Sequence, residues 1–93
     1  MSIVPFDDRD GWIWLDGQFV PWRDAKVHVL THGLHYASAV FEGARMYGGE
    51  VYALTEHTER LFKSAEMLDF EIPFTVAQID QACKDTCAKN GLD

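Results

Sequence analysis

The pair Asp16-Gly17 lies between two apolar runs, Trp12-Ile13-Trp14-Leu15 and Gln18-Phe19-Val20-Pro21-Trp22, and leaves the chain few options there. A two-residue connection between strands needs positive φ at both central positions, which Asp-Gly supplies at low steric cost. The sequence therefore predicts an antiparallel hairpin, and Pro21 confines its second strand to an edge or a strand end. Gly48-Gly49 repeats the signal between Ala44-Arg45-Met46-Tyr47 and Glu50-Val51-Tyr52-Ala53-Leu54. Between the two hairpins, Lys26-Val27-His28-Val29-Leu30 alternates and predicts a third short strand. From His32 to Phe41, residues Leu34, Ala37, Ser38 and Phe41 fall on helical spacing, predicting a short helix that Gly43 ends.

Two longer helices follow. Thr55 is an N-cap candidate, with Glu56 and Glu59 in the first turn where the helix dipole favours acid. Leu61, Ala65 and Leu68 form the apolar stripe of that helix, which stops before Pro73. Thr75 with Gln78 makes a capping box, Val76, Ile79, Cys83 and Cys87 form the next buried stripe, and Asn90-Gly91 signals its end. The order is hairpin, strand, short helix, hairpin, helix, helix. That is an α+β unit of antiparallel hairpins covered by helices. Residues 1–11, acidic and poor in apolar side chains, read as a loose leader, and residues 12–93 as the folded unit.

Composition narrows the partners. Fifteen acidic against eight basic residues give a net charge of −7, which disfavours nucleic acid or an anionic membrane across the whole surface. No apolar run approaches the roughly 20 residues of a membrane span, and Met1-Ser2-Ile3-Val4-Pro5 is no signal peptide. Cys83 and Cys87, at i, i+4 spacing, read as reduced packing residues and point to an intracellular, cytoplasmic setting.

Two arginines are candidates for an anion. Arg60 shares a flank of its helix with His57 and Ser64, beside the stripe position Leu61, and a guanidinium fork suits phosphate. Spacing alone favours a surface ion pair with Glu56 or Glu59 instead. Arg45 alternates with Tyr47 and either lies on one sheet face or pairs with Glu50 across the hairpin. The histidines His28, His32, His35 and His57 do not have the converging spacing of a zinc site, so no metal is expected. Ser38 has no partnered His and Asp at a recognised spacing, and no glycine set forms a phosphate-cradling loop.

Taken together, Ile13-Trp14-Leu15-Asp16-Gly17, Ala25-Lys26-Val27-His28-Val29, His32-Gly33-Leu34-His35-Tyr36, Val40-Phe41-Glu42-Gly43-Ala44-Arg45 and His57-Thr58-Glu59-Arg60-Leu61 resemble one family. It is the N-terminal small domain of the class IV, fold-type IV pyridoxal-phosphate aminotransferases, within which bacterial branched-chain enzymes are most similar. The resemblance runs from Trp12 to about Leu92. It implies that Arg60 binds the phosphate of pyridoxal 5'-phosphate. It implies that Tyr36 and Phe41 line the pocket for a branched side chain, with Arg45 and Glu42 in support. Tyr36 is implied to act across a dimer interface, making the protein a homodimer or higher homo-oligomer. The implied reaction moves the amino group of L-leucine, L-isoleucine or L-valine to 2-oxoglutarate, in branched-chain amino acid biosynthesis. None of Lys26, Lys63, Lys84 and Lys89 matches the family's catalytic lysine, and no Tyr-x-Arg-Pro strand follows the last helix. The expectation is thus a truncated small domain, inactive alone, with no catalytic residue of its own. A D-amino acid aminotransferase, an aminodeoxychorismate lyase or a non-catalytic free-standing α+β domain are the alternatives.

Overall fold

The computed structural model describes residues 5–92. Strands β1 (Trp12–Leu15) and β2 (Gln18–Pro21) pair antiparallel with Trp12 opposite Pro21 and Leu15 opposite Gln18. The turn is the one the dipeptide demands: Asp16 has φ 50° and Gly17 φ 93°. A Cβ on Gly17 would also stand 3.3 Å from the ring of Phe74. Pro21 closes β2, and a 3-10 turn (Trp22–Asp24) follows.

Residues 5–11 are tied to that turn. The Trp22 indole donates to the Phe6 carbonyl, the Trp22 amide donates to the Gly11 carbonyl at 2.8 Å, and Arg23 bridges Asp8 at 2.8 Å and Asp10 at 2.7 Å. Met1–Val4, the rest of the acidic leader, lie outside the described residues.

The third strand does not form. His28 bends the chain instead: its Nδ1 accepts the Leu30 amide at 3.0 Å and its carbonyl accepts the Thr31 amide at 2.9 Å. Lys26 to Leu30 therefore have no ladder partner, and alternation alone could not reveal that. The helix expected to Phe41 is one turn, α1 (His32–His35). Ala37, at φ 60°, takes the left-handed conformation and ends it well before Gly43. Residues 37–45 then run without regular structure into β3 (Met46–Tyr47), which pairs with β4 (Glu50–Val51). This second hairpin has two residues a side, shorter than the sequence predicts.

Helix α2 spans Leu54–Met67 and α3 spans Val76–Lys89. Thr55 is not the N-cap of α2. Ala53 holds that position in a left-handed conformation, and the Thr55 hydroxyl donates 2.8 Å to Asp80 on α3. The helix starts two residues earlier than a cap at Thr55 implies, and its stripe is Leu54, Thr58, Leu61 and Ala65; Leu68 lies exposed past its end. The capping box of Thr75 and Gln78 is present in both directions, at 3.1 and 2.8 Å. Val76, Ile79, Cys83 and Cys87 are half-buried, while Ala82 is the buried residue of α3. Both cysteines are unpaired, and burial with the nearby Asp80 raises the Cys83 thiol.

The buried side chains among the described residues are few and mostly small: Leu54, Ala65, Ala82 and Thr58. Polar ties from α3 complete the packing. Asp80 accepts from both Thr55 and the buried Thr58 hydroxyl of α2. Asn90, just past α3, accepts the Trp12 amide at 2.9 Å and donates to the Trp12 carbonyl at 3.0 Å, continuing the ladder of β1. Trp14 and Phe74 meet edge to face at 5.1 Å, and Lys89 lies 4.2 Å over the Trp12 ring.

Replacing Asp80 with Ala strands the buried Thr58 hydroxyl and should cost about 1–3 kcal/mol in chemical denaturation. Gly17→Ala forces Cβ into the left-handed region against Phe74 and should cost about 1–2 kcal/mol by the same measurement.

Candidate functional site

The irregular segment after Ala37 delivers Glu42 to one flank of α2, where His57 and Arg60 stand one turn apart. One turn is the spacing that puts two helical side chains on the same side. Arg60 approaches as a fork: Nε donates to Glu42 Oε2 and Nη2 to Oε1, both at 2.7 Å. His57 Nδ1 is 2.7 Å from the same Oε1. An ionised carboxylate has no proton to give, so Nδ1–H is the donor of that bond. The 3.3 Å approach of Arg60 Nη2 to His57 Nδ1 is then a contact between two donors, held there by the shared acceptor.

Glu42 is the inner member, with its side chain 16% exposed against 65% for Arg60. Arg60's hydrogen bonds, then that of His57, draw the Glu42 carboxyl down from the usual 4.5 to about 2. The bonds to Glu42 also raise the Arg60 guanidinium above its ordinary value. Arg60 is thus ion-paired, as helical spacing suggests, but with Glu42 rather than Glu56 or Glu59. Sequence spacing could not supply this partner, because Glu42 comes from a segment with no period.

The other expected site residues are dispersed. Tyr36 is 68% exposed, with its ring 4.9 Å from His32 and 4.7 Å from His35. Phe41 is 88% exposed, and its neighbour Glu42 points the other way into the network. Arg45 is exposed, and among the described residues it makes no ion pair with Glu50; its carbonyl accepts the Tyr52 amide at 2.9 Å. A cleft of about 610 Å³ is walled by Met46, Val51, Leu54, Thr55, Lys84 and Leu92, and includes none of Tyr36, Phe41, Arg45 or Arg60. The four histidines are separately engaged: His28 in its turn, His32 and His35 against Tyr36, His57 on Glu42.

An anion arriving at this flank of α2 would meet one oriented guanidinium. Of its five N–H groups, two are on Glu42, and the edge formed by Nη1 and the second hydrogen of Nη2 remains for a ligand. A planar fork of that kind matches two phosphate oxygens. The donor set fits the phosphate arm of pyridoxal phosphate.

Comparison with known proteins defines the class. The chain belongs to the class IV aminotransferases, whose family model matches residues 39–93. Among its relatives are bacterial branched-chain-amino-acid aminotransferases. It is 47% identical over 90 residues to that of Pseudomonas aeruginosa, covering 92% of this chain and 29% of the relative. It is 42% identical over 85 residues to that of Escherichia coli, covering 87% and 28%. The solved Escherichia coli enzyme superposes with a TM-score of 0.86 at 41% identity, over 90% of this chain and 30% of that one. The branched-chain aminotransferase of Thermoproteus uzoniensis, solved with norvaline, gives 0.84 at 36% identity, over 90% and 30%. The chain thus spans about 30% of these relatives, matching their N-terminal domain in its hairpins and helices. Among the described residues, no helix is long and apolar enough to cross a membrane.

The depressed Glu42 carboxyl has a consequence for acid stability. A group whose folded pKa lies below its unfolded value stabilises the fold above the unfolded value and loses that contribution as pH falls through the folded one. Glu42's share should be complete above about pH 4.5 and lost toward pH 2. Thermal melts across that window should flatten in Glu42→Gln; an unchanged acid profile contradicts the pairing.

Proposed function

We propose that this chain is the N-terminal part of a pyridoxal-phosphate-dependent branched-chain aminotransferase. The protein exchanges the amino group of L-leucine, L-isoleucine or L-valine with 2-oxoglutarate. The observation that supports this most is the Glu42–His57–Arg60 network, standing in a chain so similar to branched-chain aminotransferases. Another solved branched-chain aminotransferase holds N-(5'-phosphopyridoxyl)-L-glutamate; it matches with a TM-score of 0.84 at 41% identity, over 90% of this chain and 30% of that one.

Bound pyridoxal phosphate supplies the electron sink through which an amino group can leave one carbon skeleton and join another. This chain's share is binding and shape. Arg60 receives the phosphate on its open edge, fixing one end of the cofactor. Phe41 and Tyr36, large and exposed, provide apolar wall for a branched side chain once a neighbouring surface closes over them. Fit to such a wall discriminates by about 1–3 kcal/mol per methylene, enough to favour branched over short side chains. Arg45, exposed beside the same segment, supports the pocket. Tyr36 is contributed across a homodimer interface, which accounts for its exposure and makes a complete site a property of two chains. The covalent lysine and the acid facing the pyridine nitrogen come from outside residues 1–93. Two unpaired cysteines accord with a cytoplasmic protein.

The test is the protein expressed at its full natural length. It should purify coloured with pyridoxal phosphate and transfer amino groups from L-leucine to 2-oxoglutarate. Turnover confined to D-alanine or aminodeoxychorismate would reassign the substrate, and absence of pyridoxal phosphate binding would sink the proposal.

A further inference from the structure

We infer that Glu42 and His57 are positioning residues that hold the Arg60 guanidinium ready for an anion. The inference rests on the reading that Arg60 receives the cofactor phosphate. An arginine two-thirds exposed on a helix surface samples many rotamers, and ordering it on binding weakens the complex. Here the ordering is done beforehand. The two 2.7 Å bonds to Glu42 engage Nε and Nη2, the side edge of the fork, and so fix the plane of the group as well as its place. The end edge, Nη1 with the second Nη2 hydrogen, is left facing away from the carboxylate.

Glu42 can act as a fixed point because it is itself held. It is mostly shielded from water, and its carboxylate takes a third hydrogen bond, at Oε1, from His57 Nδ1–H. That bond comes from the same helix that carries Arg60, three residues earlier, so carboxylate and guanidinium share one rigid frame. A supporting group of this kind, orienting a residue that touches the ligand, typically changes ligand affinity about 10–100-fold when removed, by analogy with the outer shells of metal sites.

A purely electrostatic account predicts the opposite sign. Glu42 carries a negative charge beside the arginine, so if it only neutralised that charge, removing it would tighten anion binding. Orientation predicts weakening. The sign of one substitution therefore decides between them.

The experiment uses the protein at its full natural length and measures dissociation constants for pyridoxal 5'-phosphate and for pyridoxal, which lacks the phosphate. The variants are Glu42→Gln, Glu42→Asp, His57→Gln and Arg60→Ala, and the Arg60 Nε–Hε resonance is followed by NMR. Glu42→Gln should weaken pyridoxal phosphate about tenfold, leave pyridoxal unchanged and shift the Nε–Hε resonance. Glu42→Asp, which keeps the carboxylate, should recover part of the affinity, and His57→Gln should weaken it less than Glu42→Gln. If Glu42→Gln does not fold, the other two variants carry the same comparison. Unchanged or tighter binding of pyridoxal phosphate in the Glu42 and His57 variants overturns the inference while leaving Arg60 in its role. Unchanged binding in Arg60→Ala overturns the phosphate reading itself, and the inference with it.

Discussion

Asp80 joins the two long helices through a carboxylate that accepts from Thr55 and Thr58 together, and much of the architecture depends on that junction. Thr58 is buried, so its hydroxyl needs a partner, and Asp80 is placed one turn into α3 by the capping box at Thr75 and Gln78. With the helices so fixed, Asn90 at the far end of α3 meets Trp12 and receives the first hairpin. A core with so few buried residues would offer modest hydrophobic stabilisation alone, and the polar ties supply direction as well as strength.

Local chemistry wrote some elements plainly. Asp16-Gly17 and the Thr75–Gln78 box are decided within four residues, and both stand where the sequence puts them. Elements that need a distant partner were less legible. Lys26–Leu30 has the alternation of a strand but no neighbour to pair with, and His28 turns it aside. Thr55 has the composition of an N-cap, yet Asp80 from another helix claims its hydroxyl. Ala37 ends α1 in a conformation that its identity does not advertise, since alanine favours helix. Gly43, by contrast, looked like the natural stop.

The site divides in the same way. Arg60 and His57 were visible as neighbours on a helix flank, a local relation. Their meeting with Glu42 was not, because it depends on the path of residues 37–45, which no periodicity governs. Family resemblance singled out Tyr36, Phe41 and Arg45, and the fold leaves all three facing outward. The chain spans about 30% of the relatives it matches.

The bond between Asn90 and Trp12 joins residues 78 apart in the chain. At a ribosomal pace of about 5–20 residues per second, the hairpin finished at Pro21 must wait roughly 3–14 seconds before Asn90 has been made. During that interval β1 has its turn and its partner strand but no helix to dock on, and an isolated two-stranded hairpin is marginal in water. Its two tryptophans are therefore available to other chains while translation proceeds. The first element to be specified is the last to be secured, and the speed of synthesis, rather than the strength of the turn, sets how long it stands alone.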